Sequence, residues 1–373
     1  MTWEYVQPVR ILFGCGKKDE ISAVAKGEGL TRGFLVCDTF LAENGVAKAL
    51  CDASNGTLIG MFHDIQPNPT VTSVDACAAE IRKAGADFIV ALGGGSAMDV
   101  AKAAAVIAKT EDSVVKYHGT GVPLPTTGLS IIALPSTAGT GSEVTPVSVL
   151  TNEEKGLKGL KAPMLSGAFY PIVAIIDPEL TYTVPKKVVA QTGLDVLCHA
   201  VEAYMSINHQ PICDALAIQA ARLVFKHLPK AVEGDKAAQD QMALASVLAG
   251  LAFGQPKTGA PHACSYVLTV RYGLPHGEAC VLTLDYFLEI AATGEPERLH
   301  DFAQQTGFQS VAELAEEIRS LKKSLGLLTD LKSFSLTDED IQTLVKESQH
   351  PNMKNSPVVI TEDMLFTLYE GMR

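Results

Sequence analysis

Nowhere in these 373 residues does an apolar run approach the roughly 18 residues of a membrane-spanning helix, so none is expected. A cluster of lysine and arginine is missing too, and the formal net charge is −12. That balance is wrong for a surface that neutralises the phosphates of nucleic acid or an anionic membrane. The expected partner is a small molecule. The opening residues MTWEYVQPVRILFGCG lack a basic segment followed by a continuous apolar core, so no secretory signal is expected and the expected location is the cytoplasm. Eight cysteines, at 15, 37, 51, 77, 198, 213, 264 and 280, form no CxxC pair. Several fall in apolar runs, as reduced thiols do, which predicts neither disulfides nor a thiolate metal site.

What is present describes a well-buried globular protein, with 47% hydrophobic and only 19% charged residues. The chain exceeds the roughly 250 to 300 residues at which single cores stop growing, so two domains are expected. In the first half, short β-branched runs (GFLVCD, TLIGMF, DFIVAL, LSIIALPS, IVAIIDP) alternate with helical segments such as SVDACAAEIRKAGA. That alternation predicts an α/β domain built on a Rossmann-like parallel sheet. Beyond Pro185 the apolar residues recur at helical period and no strand pattern follows, which predicts an all-α domain. The expected domains are 1–183 and 184–373. Near DPELTYTVPKK, Thr183 is a plausible N-cap, with Pro185 in the first turn of the next helix.

DFIVALGGGSAMDVAKAAAVIA reads as a strand, three glycines and a helix. Gly93, Gly94 and Gly95 let the backbone approach a bulky anion, and Ser96 begins a helix whose free N–H groups favour phosphate; a tight strand-to-helix turn is the plainer alternative. Asp99, near the third helical position, either serves the cofactor or helps cap the helix start. A second loop, LPSTAGTGSEVTPVSVL, offers Ser136, Thr137, Thr140 and Ser142, which either line a nucleotide or satisfy their own backbone. Two such loops at successive strand ends follow the rule that open α/β sheets bind ligands beyond the carboxyl ends of their strands. Asp38, closing GFLVCD, either accepts from an adenosine ribose, favouring NAD over NADP, or is an ordinary turn aspartate.

In TGLDVLCHAVEAY, Asp195 and His199 are four residues apart and share a helix face, as a metal pair or an intrahelical salt bridge equally would. His262 and His276 lie downstream in GAPHACSYVLTVRYGLPHGEACVL. Together the four form a carboxylate and three imidazoles, a set suited to Fe²⁺ or Zn²⁺. Cys198 and Cys264 read as packing, and His209 as loop.

GGGSAMDVAK, LPSTAGTGSEVT, IIDPELT, TGLDVLCHAVEAY and PHG, in that order, resemble the iron-containing (group III) alcohol dehydrogenase family over nearly the whole chain. The resemblance implies the fold of that family and of dehydroquinate synthase, with NAD(H) bound along Gly93 to Ser96, Thr137 and Thr140. It implies a divalent ion, Fe²⁺ first and Zn²⁺ second, on Asp195, His199, His262 and His276. The activity implied is hydride transfer between nicotinamide and a short aldehyde or alcohol, with the ion as Lewis acid, in a homodimer or larger homo-oligomer. Domain closure would then exclude water from the hydride path.

One departure stands out: simple alcohol dehydrogenases of the family commonly carry a histidine four residues after the third ligand, where this chain has Tyr266. A tyrosine, with an ordinary pKa of about 10, donates a hydrogen bond but is a poor base near neutrality; alternatively Tyr266 only packs. The pattern H-A-x-S-Y-x-L-T then G-x-P-H-G resembles the branch reducing phosphonoacetaldehyde or sulfoacetaldehyde. For such an anion, Arg271, with Tyr266 and Ser265, is a candidate pocket, unless Arg271 forms a surface ion pair; Phe253 completes the candidate catalytic set. Rival readings are a glycerol-dehydrogenase-like polyol enzyme, a dehydroquinate-synthase-like lyase, whose ligand set has glutamate where this chain has Asp195, and an idle scaffold.

Overall fold

The computed structural model describes residues 2–155 and 159–373. They divide into two compact units: one made of Gln7–Thr137 and Gly141–Thr183, the other of Val184–Arg373 with the residues up to Val6 and Ala138–Thr140.

The first unit is built on eight strands: β1 (Arg10–Phe13), β2 (Gly33–Cys37), β3 (Leu58–Phe62), β4 (Phe88–Gly93), β5 (Ser130–Pro135), β6 (Val147–Asn152), β7 (Leu160–Leu165) and β8 (Val173–Ile176). Six of them form a sheet in the order β1-β8-β5-β4-β2-β3, every pair parallel. The unit's helices are α1 (Ile21–Gly27), α2 (Thr39–Glu43), α3 (Val46–Ala53), α4 (Val71–Ala84) and α5 (Gly95–Ile107). Alternate side chains of the central strands enter two different cores. Phe34, Val36, Ile89, Ala91, Ile131 and Ala133 pack with α4 and α5, while Leu35, Val90, Leu92, Ile132 and Leu134 pack with α1 to α3. A strand covered on both faces has no polar side, so its sequence is continuously apolar, which made these strands legible. Two pieces were not: the edge strand β1 and the antiparallel β6–β7 pair, whose half-exposed residues break the apolar pattern.

The sheet brings three separate sequence positions to one edge. Cys37 is in register with Leu92, and Gly93 with Pro135. Asp38, the glycine loop and Ser136 therefore leave neighbouring strands at the same end.

In the second unit α6 (Lys186–Met205), α7 (Pro211–Val232), α8 (Lys236–Phe253), α9 (Ala260–Tyr272) and α10 (His276–Leu282) precede five further helices between Leu284 and Met372. No strand occurs among the described residues of this stretch. Helix α6 is buried almost throughout from Ala190 to Met205 and lies in the main core of this unit. It starts later than its sequence signals imply: Pro185, with no side-chain cap bond, takes the N-cap position instead of Thr183. No helix among the described residues is long and apolar enough to cross a membrane.

Candidate metal centre and cofactor loop

Helical geometry puts Asp195, His199 and Glu202 on one face of α6, at offsets of four and seven residues. His262 enters from the first turn of α9 and His276 from the start of α10. Helix α10 sits hard against α6, because a Cβ at Gly277 would come 2.2 Å from the Gln191 carbonyl oxygen and 3.1 Å from the Asp195 Cβ. Any side chain at 277 would push His276 out of reach. Glu278 anchors the same contact, accepting from Gln191 Nε2 at 2.8 Å and from the Leu328 N–H at 3.0 Å.

The donors converge. One ligand atom each from Asp195, His262, His276 and Cys280 lies within 4.8 Å of all the others. His199 Nε2 stands 3.1 Å from His262 Nε2, and His262 Nε2 is 3.7 Å from Asp195 Oδ1. Two imidazole nitrogens held by one tetrahedral ion at 2.0–2.1 Å are about 3.3 Å apart, so this pair is already spaced for a shared cation. Asp195 Oδ1 is buried and has no hydrogen-bond partner among the described residues. An unpartnered buried carboxylate oxygen is costly, and a cation at this point would satisfy it. The residues present therefore fit a divalent ion.

Charge at the centre tells the same way. Burial holds the His199 imidazole below its ordinary pKa despite Asp195. Burial works against the His262 imidazolium as well, but Cys280 and Glu202 outweigh it and lift its pKa well above the ordinary value. The cluster draws positive charge, which a divalent cation would supply in place of the proton.

Glu202 is the residue the sequence reading missed. Its Oε2 bonds His262 Nδ1, while Oε1 accepts from the N–H groups of Gly259 at 2.8 Å and His262 at 3.3 Å. One carboxylate thus fixes the tautomer that turns His262 Nε2 inward and also ties the start of α9 to α6. The signal was present within TGLDVLCHAVEAY, one turn beyond His199. Glu202→Gln is expected to weaken metal binding by about 10- to 100-fold. Competition with a chromogenic chelator measures this, and an unchanged affinity would remove Glu202 from the centre.

The other candidates scatter. Phe253 stacks on the His199 ring at 4.2 Å and 13°, so it holds that ring in orientation. Tyr266 lies one turn beyond His262 on the same face of α9, edge-on to His350 at 5.1 Å; His350, far off in sequence, had not been singled out. Arg271 is nine residues from His262, about 13.5 Å along the helix and half a turn round it. Its Nε and Nη2 bond Glu347, so the structure does not bring it to the donor cluster. Ser265 is buried with its hydroxyl on the His262 carbonyl at 2.7 Å. His209 bonds Asp214, and Cys198 and Cys264 are buried. No thiol was expected at the centre, but the turn of α10 after His276 carries the Cys280 sulfur among the candidate donors.

In the first unit, the glycine loop runs from β4 into α5 with Gly94 as N-cap and no side-chain cap bond. The first N–H groups of a 13-residue helix are thereby left for an anion. Gly93 has φ +149°, and a Cβ there would meet the Ala97 Cβ at 2.6 Å and Asp38 Oδ2 at 2.9 Å. Asp38 caps α2 through Oδ1, which accepts from the Leu41 N–H at 2.9 Å, and leaves Oδ2 beside that glycine. Burial raises its pKa. The Ser136 N–H bonds the Gly93 carbonyl at 3.0 Å, and Thr137 Oγ1 would be 3.3 Å from a Cβ on Gly94, so both border the loop. Thr140 falls in the segment grouped with the helical unit.

Asp99 and Ser142 have other work. Because α5 starts at Gly95, Asp99 is its fifth residue and cannot cap it. Burial raises its carboxyl, against the opposing charge of Lys102. Lys102 is completely buried, and its Nζ donates to the carbonyls of Ser142, Thr145 and Val147 at 2.7, 2.9 and 2.9 Å and to Ser142 Oγ at 2.8 Å. The lysine fastens the second loop to the helix after the first.

Known proteins are similar to this chain along its length. Residues 8–178 match the family described as iron-containing alcohol dehydrogenase, and residues 189–372 match the C-terminal part of the Fe-containing alcohol dehydrogenase family. The crystal structure of sulfoacetaldehyde reductase from Bifidobacterium kashiwanohense in complex with NAD⁺ is 53% identical, with a TM-score of 0.96 over 100% of this chain and 99% of that one. Sulfoacetaldehyde reductase of Bilophila wadsworthia (strain 3_1_6) is 33% identical over 97% of each chain. Long-chain-alcohol dehydrogenase 1 of Geobacillus thermodenitrificans (strain NG80-2) is 33% identical over 96% of this chain and 93% of its own.

Proposed function

This chain belongs to the iron-containing alcohol dehydrogenase family, and we propose that it is an NADH-linked reductase of short anionic aldehydes, sulfoacetaldehyde first among them. The observation that carries the reading is the convergence of Asp195, His262 and His276, with His199 Nε2 3.1 Å from His262 Nε2 and the Asp195 oxygen unpartnered. When bound, the divalent ion, Fe²⁺ first, supplies Lewis-acid polarisation of the substrate oxygen and NADH supplies the hydride.

The chain's own residues do the rest. Asp195, His199, His262 and His276 hold the ion, Glu202 sets the His262 tautomer, and Phe253 keeps the His199 ring in plane. The free N–H groups after Gly94 receive the cofactor pyrophosphate, and Asp38 beside Gly93 accepts from a ribose hydroxyl and repels a 2′-phosphate. For the anionic end of the substrate, Tyr266 and His350 are the donors. The His350 Nδ1 accepts from the Asn352 N–H at 3.2 Å, so the neutral ring carries its proton on Nε2. Burial lowers the His350 pKa, which keeps the ring a neutral donor near pH 7. Eight unpaired cysteines suit a reducing cytoplasm, and the reading includes a homo-oligomer.

The test is to strip the metal, restore Fe²⁺ or Zn²⁺ singly, and follow NADH consumption with sulfoacetaldehyde, phosphonoacetaldehyde and propanal. Sulfoacetaldehyde should give the highest kcat/KM. Tyr266→Phe should narrow its lead over propanal about ten-fold, roughly one hydrogen bond to a charged group. Arg271→Ala should leave the ratio as it was. Turnover of none of the three with either metal would sink the reductase reading.

A further inference from the structure

Cys280 is absent from any role described so far, yet its sulfur is the fourth donor of the buried cluster. The α10 turn places it four residues beyond His276, fully buried, with Sγ 3.7 Å from each ring nitrogen of His276. A thiolate and an imidazole sharing one tetrahedral ion, with metal–sulfur and metal–nitrogen lengths of about 2.3 and 2.05 Å, are about 3.6 Å apart. The observed spacing matches that. A second, independent observation points into the same space: Asp195 Oδ1, buried and without a hydrogen-bond partner among the described residues, belongs to the same group of donor atoms. Cys280 is thus one of four converging donors, and is not an isolated buried thiol.

We propose that Cys280 is a sulfur ligand of this metal centre, adding a thiolate to the carboxylate and imidazoles of Asp195, His199, His262 and His276, and that the mixed set favours thiophilic divalent ions such as Zn²⁺ and Co²⁺. The inference rests on the metal-centre reading above and adds a donor to it. On binding, the S–H bond breaks, the proton leaves to solvent and the sulfur lone pair forms the bond to the ion. Nothing is oxidised or reduced. A hard N/O set discriminates less between Fe²⁺ and Zn²⁺ than a set containing a thiolate, so this one residue tilts the centre toward zinc.

The experiment loads the metal-free full-length protein with Co²⁺ and records its absorption spectrum. Wild type should bind one equivalent and show a near-ultraviolet thiolate-to-cobalt charge-transfer band together with visible d–d bands. In Cys280→Ser the charge-transfer band should vanish while the d–d bands persist. In anaerobic competition between equimolar Zn²⁺ and Fe²⁺, the bound Zn:Fe ratio should fall about ten-fold or more from wild type to Cys280→Ser. A cobalt-loaded wild type with d–d bands and no charge-transfer band would overturn the proposal even if the variant failed to fold. So would a charge-transfer band that survives in Cys280→Ser, since it would then belong to another cysteine. Failure of wild type to bind Co²⁺ or Zn²⁺ at all would overturn the metal centre itself, and this inference with it.

Discussion

Asp195→Ala should yield a folded protein that no longer retains its divalent ion and whose kcat/KM falls at least about a thousand-fold, or about 4 kcal/mol of transition-state stabilisation. The size follows from the position of the carboxylate: an Asp195 oxygen lies within 4.8 Å of the His262, His276 and Cys280 donor atoms, whereas Glu202 bonds the Nδ1 side of His262. The accompanying stability is what makes the result diagnostic. Asp195 Oδ1 has no hydrogen-bond partner among the described residues and faces His262 Nε2 at 3.7 Å, so truncation breaks no hydrogen bond at that oxygen and removes one long ion pair. The metal-free variant should therefore unfold close to the temperature of metal-free wild type. Asp195→Asn, which keeps the shape and a neutral oxygen, should fall between the two in metal content. Metal analysis, steady-state kinetics and thermal unfolding of the apo forms check this together. A variant that still holds one equivalent of metal would take Asp195 out of the centre.

Lys102→Met should destabilise the sheet unit by about 3 to 5 kcal/mol and lower its unfolding temperature on the order of 10 °C. Methionine fills the volume of the lysine stem but leaves three carbonyls, the buried ones of Ser142 and Thr145 and the part-buried one of Val147, without their donor. Each such group costs about 1 to 3 kcal/mol. Asp99 and Glu143, raised by burial and opposed by Lys102, would lose the positive charge that compensates them. NADH affinity should fall with stability, because Lys102 joins the helix of the pyrophosphate loop to the loop that follows β5. Ser142→Ala is the control: it removes one acceptor and leaves the three carbonyl bonds, so its cost should stay near 1 kcal/mol. Equal losses in the two variants would show that the carbonyl cage is not what holds the loops.

The residues of the metal centre and of the glycine loop are unequally legible in the sequence. Asp195 and His199 could be paired from a helical offset, and the glycine run could be placed at the end of an apolar strand, because both are local periodicities. Glu202 was one turn away and went unread, since a carboxylate at that offset on a helix face is ordinarily solvated; only the approach of Gly259 and His262 at the start of α9 gives it three bonds to make. His350 and Cys280 were hidden for the same reason, one lying 84 residues past Tyr266 and the other looking like one more buried thiol. Arg271 and Ser142 failed in the other direction. They sit in the right segments, but half a helical turn sends Arg271 to Glu347, and a buried ammonium claims Ser142.

Short-range order alone determined that this chain carries a parallel sheet, a glycine run at a helix start and a helical half with an aspartate and a histidine on one helix face, because apolar period and glycine placement act within a few residues of themselves. Which donors share one ion, which carboxylate orients a histidine, and which hydroxyl a buried lysine claims were decided only by packing between helices and loops far apart in the chain. Those contacts depend on close fits such as Gly277 against Gln191, and no local pattern encodes them.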